Sequence, residues 1–383
     1  MKEAVESMKE KEYTFQSRKF YVNEPNKDKG SIWENWAPHA RMSAKSFGWW
    51  YMTAYVHDAE GNPYFLFTGN SDHMGENMKE RMIGEKVNDD NRRIIGHTNT
   101  IADYNADRVI RVMRLPDLPL EQMYDPENNK LHITNNEDVS LIWDFKGDTM
   151  NMKYDCPEST WDFVMTNASD VVWHKDKHGH DGLIQQGAED DWSFYYCLPN
   201  CQLSGTLTIN NEDGTKKSVQ VSGRAWVDRQ WGDFASVHWE WASYRFNNGA
   251  AMHLYSFAGG HQEGLYRDAE GNVQYFDNVI VRQNGYAKSE ICKAWTSWGW
   301  TYEFPIEIEG SKQFTVRPKS NKEFLEFPSM TSESFGKTIK GFVLFEGAGE
   351  LVNDTTGEVV GISINESGDI RAMKNGPYDT YQK

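Results

Sequence analysis

From Gly48 onward the chain is written in a period of two, repeatedly interrupted by turn residues, and this rhythm restricts the folds open to it. In GWWYMTAYVHDAEGNPYFLFTG, residues 48–69, Trp49, Tyr51, Thr53 and Tyr55 alternate with Trp50, Met52, Ala54 and Val56. Asp58-Ala59-Glu60-Gly61-Asn62-Pro63 then supplies turn chemistry, and the alternation resumes over 64–68. Period, β-rich composition and turn together predict a β-hairpin. The pattern returns at 139–145, 159–167, 193–199, 202–210, 218–227, 238–246, 250–259, 272–282, 296–310, 312–318, 339–352 and 357–366. The run 193–199 is expected to pair with 202–210. The run 238–246 meets 250–259 across Asn247-Asn248-Gly249, whose Asn-Gly step is the strongest hairpin signal in the sequence. Helical periodicity is nearly absent. Residues 74–100 are charged and suit a short helix, a lid or a long loop, and residues 1–30 read as a loose N-terminal arm.

Many short strands at such spacing predict an all-β barrel or sandwich. The 383 residues are enough for two such units, and 15 Trp, 18 Tyr and 19 Phe supply core for both. The boundary is expected between 200 and 236, with one domain over 31–222 and the other over 223–383. No composition break marks a linker, so close packing of the two is expected.

Charge narrows the partners. Forty Lys and Arg against 57 Asp and Glu give a formal net charge of −17, which repels phosphate backbones and argues against nucleic acid as a partner. The start, MKEAVESMKEKEY, lacks the apolar core of a secretory signal, and no run of apolar residues is long enough to span a membrane. The expected setting is cytoplasmic, with Cys156, Cys197, Cys201 and Cys292 as reduced thiols. The segment WHKDKHGHDG, 173–182, gathers His174, His178 and His180 with two aspartates. It suits either a metal ion or, more simply, a solvated loop. HExxH, CxxC, Walker A, GxGxxG and GxSxG patterns are all missing, so neither a metal nor a cofactor is expected.

The densest constellation is GRAWVDRQWGDF, 223–234. On an extended chain Trp226, Asp228 and Gln230 share one face, while Val227, Arg229 and Trp231 share the other. A carboxyl among bulky aromatics is poorly solvated when charged, which favours the protonated form and a proton-donating role near neutral pH. An ion pair with Arg224 or Arg229 would act in the opposite sense, and both readings stay open. His238, His253 and His261 are candidate bases, or partners for a substrate hydroxyl, or ordinary core histidines. Tyr244 and Tyr255 are candidate phenolic donors or core phenols. The stripe Trp226, Trp231, Trp239, Trp241 and Tyr255 is either plain core or the wall of an apolar ligand cavity. With Trp50, Arg229 and Tyr244, its tryptophans form the expected substrate-contacting set, and Asp228, His238, His253 and Tyr255 the expected catalytic one.

The run Gly223-Arg-Ala-Trp-Val-Asp-Arg-Gln-Trp-Gly232, followed by Trp241 through Gly249 and Met252-His253-Leu254-Tyr255, resembles the carotenoid 1,2-hydratase (hydroxyneurosporene synthase) and AttH-like superfamily. Trp49-Trp50-Tyr51 with Gly61 and Tyr64, and Ser204-Gly205-Thr206-Leu207, extend the likeness. Phe345-Glu346-Gly347 and 361–366 echo it weakly, so it covers roughly 45–366. The resemblance implies two lipocalin-like antiparallel β-barrel domains and cofactor-free chemistry on a large apolar substrate. It implies Asp228 as the acid that protonates an alkene, with Trp226, Trp231 and Trp241 lining the pocket. Two positions depart from the pattern. Gly48 stands where members usually carry Glu, and Arg229 where many carry His. The expected activity is a cofactor-independent hydratase or dehydratase acting on an alkene or allylic or tertiary alcohol. The alternatives are an isomerase or cyclase, and a carrier of hydrophobic ligands.

Overall fold

The computed structural model describes residues 10–15, 18–23, 36, 38, 46–72, 92–135, 138–168, 170–175, 182–185, 192–234, 239–257, 262–334 and 337–368. Strands dominate, and the one α-helix among the described residues is the single turn Leu120–Met123. The fold is all-β, as the alternating pattern implies, and its curled antiparallel sheets are lipocalin-like, as the family resemblance implies. Among the described residues no helix is long and apolar enough to cross a membrane. All four cysteines are free thiols.

The chain divides into two units, 1–173 with 189–234, and 174–188 with 235–383. An expected boundary at 222/223 would cut the strand Lys216–Asp233, and the sheet instead carries the chain on to its end. The interior of that strand has paired neighbours on both sides, which leaves no place for a linker. Within the N-terminal stretch expected as a loose arm, Glu10–Phe15 and Arg18–Asn23 form a two-stranded hairpin.

In the first unit the strands run, in order across the sheet, Arg108–Arg114, Arg92–Asp103, Pro63–Asp72, Ser46–Asp58, Lys216–Asp233, Trp192–Asn210, Ser159–Thr166, Thr149–Asp155, Ser140–Lys146, Lys130–Thr134 and Tyr124–Asp125. The hairpin expected at 48–69 is Ser46–Asp58 paired with Pro63–Asp72. Asp58 closes its turn, its Oδ1 accepting from Glu60 N at 3.1 Å and Asn62 N at 2.8 Å. The runs 193–199 and 202–210 do not pair with each other. They form one strand, Trp192–Asn210, whose register shifts between Leu198 and Cys201. Pro199 lacks the N–H a ladder needs, and the chain absorbs it in a bulge rather than a turn. Both halves then pair along Lys216–Asp233.

The clean alternation of a half-buried strand holds at Ser159–Thr166. It fails over 50–56 and 225–232, where residues on both faces are buried. Such strands read as continuous apolar and aromatic runs.

In the second unit the order is Val273–Phe276, Gln262–Arg267, Ala251–Phe257, Trp239–Phe246, Val359–Gly368, Lys337–Asn353, Ser311–Pro318, Trp300–Ile308 and Ile280–Gln283. The Asn-Gly turn joins Trp239–Phe246 to Ala251–Phe257, with Gly249 at φ 97°, a conformation that favours glycine. Tyr244, Phe246, Met252, Leu254, Trp300, Tyr302, Phe314 and Phe345 pack as the core.

Candidate active site

Lys216–Asp233 lies between Ser46–Asp58 and Trp192–Asn210, and this sandwiching assembles the site. Asp228 stands opposite Tyr51 on one neighbour and Cys197 on the other. Its carboxylate is 2% exposed. Oδ1 accepts from Trp49 Nε1 at 3.1 Å, and Oδ2 from Tyr195 Oη at 2.8 Å and Trp226 Nε1 at 2.9 Å. Three donors onto one carboxylate favour its charged form, while burial favours the neutral acid. The donors differ in kind. An indole N–H can only donate, whereas a phenol can also accept. A protonated Asp228 therefore has one natural recipient for its hydrogen bond, Tyr195 Oη.

The next residue faces the other way. Arg229 is fully buried, with its guanidinium 4.2 Å from the Trp50 ring and 5.4 Å from that of Trp231. Its Nη1 donates to Gln230 O at 2.7 Å and Trp49 O at 3.0 Å. Burial lowers its pKa to about 10, opposed by Tyr196, Asp72 and Asp228. Asp72, 3.2 Å from Arg93, is pushed up by burial and pulled back by Arg93 and Arg229. Gly48 belongs to this arrangement. A Cβ there would lie 2.8 Å from Gln230 O and 3.0 Å from Arg229 Nη1, so the missing side chain leaves room for the guanidinium. His97 lies further along the same face, its Nδ1 2.7 Å from Asn70 Oδ1 and its Nε2 3.2 Å from Tyr154 Oη. Burial, aided by the charge of Arg114, lowers its pKa to about 3 and keeps it neutral.

The expected substrate-contacting set is thus split. Trp226 reaches Asp228, as does Trp49. Trp50, Trp231 and Arg229 stack together on the opposite face of the sheet, because their strands alternate. In the second unit, Trp241 and Tyr255 are paired across strands and flank His253, at ring distances of 5.5 and 4.9 Å. His174 packs edge-on to His253 at 4.4 Å. Burial holds both imidazoles well below the ordinary pKa, His253 also through the charge of His174. Tyr244 turns to the opposite face, into the core beside Tyr302 at 5.6 Å, and burial pushes its phenol well up. Trp239 donates from Nε1 to Glu366 Oε1 at 2.6 Å. His238, His261, His178 and His180 lie outside the described residues, so the suggested histidine trio is represented by His174 alone. Among the described residues no three His, Cys, Asp or Glu side chains are grouped to hold a metal ion.

The sequence does not give Tyr195, Trp49 or Glu366 a role in hydrogen-bonding at these sites. Their partners lie 33, 179 and 127 residues away, and no local pattern marks those pairings.

The AttH-like family model matches residues 27–361, and the chain belongs to that family. Several solved structures share its fold. An AttH protein of Nitrosomonas europaea superposes with a TM-score of 0.63 at 17% identity, covering 84% of this chain and 92% of its own. Kievitone hydratase of Nectria haematococca gives 0.54 at 15% identity, covering 86% and 90%. CghA, crystallised with Sch210972, gives 0.53 at 12% identity, covering 86% and 89%. Among curated proteins none matches significantly.

Proposed function

We propose that the protein is a cofactor-independent hydratase or dehydratase acting on an alkene, or the corresponding tertiary or allylic alcohol, of a hydrophobic terpenoid, polyketide or phenolic compound. The observation that carries this reading is the buried Asp228 carboxyl held by Tyr195, Trp49 and Trp226. In hydration, Asp228 gives its proton to one alkene carbon, and the π pair becomes the new C–H bond. The cation left on the neighbouring carbon is stabilised by indole faces. Water adds through an oxygen lone pair, and the proton it sheds returns to Asp228 by way of Tyr195. Alkene and water become alcohol, with no change of oxidation state to be supplied from outside. Dehydration uses the same groups in reverse. The shared fold of kievitone hydratase supports this reading.

The saturation of the carboxylate by donors also favours a second reading. A group so held polarises a bound substrate without giving up a proton, as a cyclase or isomerase would require, and the fold of CghA supports it. Turnover in heavy water separates the two. A hydratase leaves one deuterium on carbon, whereas a cyclase that moves no proton leaves none. Saturable binding without turnover, unchanged in Asp228→Asn, would make the protein a carrier.

A further inference from the structure

The second unit holds a carboxyl pair that the preceding reading does not use. One cross-strand row runs over five strands of its sheet: Glu346, Glu366, Trp241, Tyr255 and Glu263. Directly paired residues project to the same face. Glu346 and Glu366 are therefore side by side, and their side chains are hydrogen-bonded. Two carboxylates in such a bond need a proton between them. Trp239 Nε1 donates to Glu366 from the third side.

The surroundings suit an apolar molecule with an oxygen. Trp239, Phe342, Leu344 and Phe327 lie beside the pair, all half-buried, and the Trp239 and Phe342 rings stack at 6.2 Å. Glu366 is itself half-buried, whereas Glu346 is 1% exposed, so the pair has an open end and a closed one. In the adjoining row stands Ser243, opposite His253 on one side and Ile364 on the other. Its Oγ is fully buried with no hydrogen-bond partner. A buried hydroxyl in that condition is costly unless something supplies the missing bond.

We propose that Glu346 and Glu366 share a single proton and, with Ser243, form a site that hydrogen-bonds the carbonyl oxygen of an uncharged, flat, apolar ligand lying on the Trp239–Phe342 shelf. The site is built from residues of the second unit alone and does not rest on the hydratase reading. Burial raises Glu366 to about 7, opposed by its bonds to Glu346 and Trp239, so the pair loses its proton near neutrality. Among the described residues this face also carries Glu263 from Gln262–Arg267, His253 and Tyr255 from Ala251–Phe257 with His174 packed on His253, Arg245 from Trp239–Phe246, and Glu350, paired with Lys319, from Lys337–Asn353. His253 stays neutral and adds no titration of its own there.

Two measurements on the full chain test this. Carbon-13 NMR of side-chain-labelled glutamate, from pH 5 to 9, should show a carboxyl titrating near 7 in the wild type and none there in Glu366→Gln. No carboxyl titrating between 6 and 8 overturns the shared proton. Tryptophan-fluorescence titration then uses 4-hydroxychalcone as probe, with trans-4-hydroxystilbene as its carbonyl-free counterpart. Chalcone affinity should fall about tenfold as pH rises from 6 to 8, while the stilbene changes less than twofold. In Glu366→Gln, which keeps a donor, the chalcone should bind without that pH dependence. Failure of the chalcone to bind, or an unchanged pH dependence in Glu366→Gln, overturns the ligand site. Both readouts are independent of turnover, so they can fail while Asp228 chemistry stands, and the reverse.

Discussion

Replacing Asp228 by Asn changes little in shape but cannot preserve the hydrogen bonds around it. The carboxylate accepts three, from Trp49, Tyr195 and Trp226. An amide offers one oxygen and one NH2. If the oxygen takes the Oδ2 place, it satisfies Tyr195 and Trp226, and the NH2 faces the Trp49 N–H. If it takes the Oδ1 place, the NH2 can donate to Tyr195 but faces the buried Trp226 N–H. Neither indole can accept, so one donor is always stranded. The first arrangement is the cheaper, because Trp49 is half-buried and can turn towards water. Losing a hydrogen bond to a charged group costs about 1.5–3 kcal/mol. A unit of this size shifts its Tm by roughly 2–4 °C per kcal/mol, so a fall of roughly 3–12 °C is expected. Calorimetry or circular dichroism would measure it, with turnover assayed well below the transition. There the proposed acid role predicts a rate loss of about 10²-fold or more. A variant as stable as the wild type would refute the donor arrangement, since an amide would then have replaced an acceptor of three without cost. A stable variant with normal turnover would remove the acid role as well.

Tyr195→Phe should keep both indole bonds and lose stability by about 1.5–3 kcal/mol in urea unfolding, while slowing turnover by interrupting proton return. Gly48→Ala should destabilise by about 1–3 kcal/mol, because its Cβ meets Gln230 O and the Arg229 guanidinium; an unchanged midpoint would mean that Arg229 has room to move. The Glu346–Glu366 pair should make folding stability pH-dependent in a defined direction. With Glu366 raised from 4.5 to about 7, the folded chain holds a proton that the unfolded chain releases, so stability is greatest below about 4.5 and falls as pH rises to about 7. The fall is at most ~3 kcal/mol, lessened by the water that reaches Glu366. Urea midpoints at pH 5 and 7.5 would show it, and Glu366→Gln should flatten it.

Where a property depends on alternation along one strand, the sequence is enough to read it. Asp228 and Arg229 fall on opposite faces, as do Trp226 and Trp231, because side chains in an extended chain have a period of two. The hairpins at 46–72 and 239–257 carry their own turn chemistry and fold as expected. What depends on pairing between distant strands leaves no such trace. Tyr195 and Trp49 reach Asp228 only because Ser46–Asp58 lies against Lys216–Asp233 on one side and Trp192–Asn210 on the other. Glu346 and Glu366 meet through a register that nothing in either segment announces. Pro199-Asn200 reads as a turn and is a bulge, since the choice is made by the long partner strand. The aromatic stripe reads as either core or the wall of a cavity, and its members are divided among several faces. The division falls where neighbouring strands are covered on both sides, and there composition no longer distinguishes inside from outside.

The adjacency of Asp228 and Arg229 has a consequence for any attempt to reshape the protein. Insertion or deletion of one residue upstream of 228 in its strand would exchange anion and cation between two enclosed environments, leaving each among groups suited to the other. Changes in strand length are therefore tolerable only in pairs or beyond the buried stretch, whereas point changes on one side leave the opposite side chemically intact. Variants that probe the proposed Asp228 site can exploit this by changing Trp226 or Gln230 while holding Val227, Arg229 and Trp231 fixed.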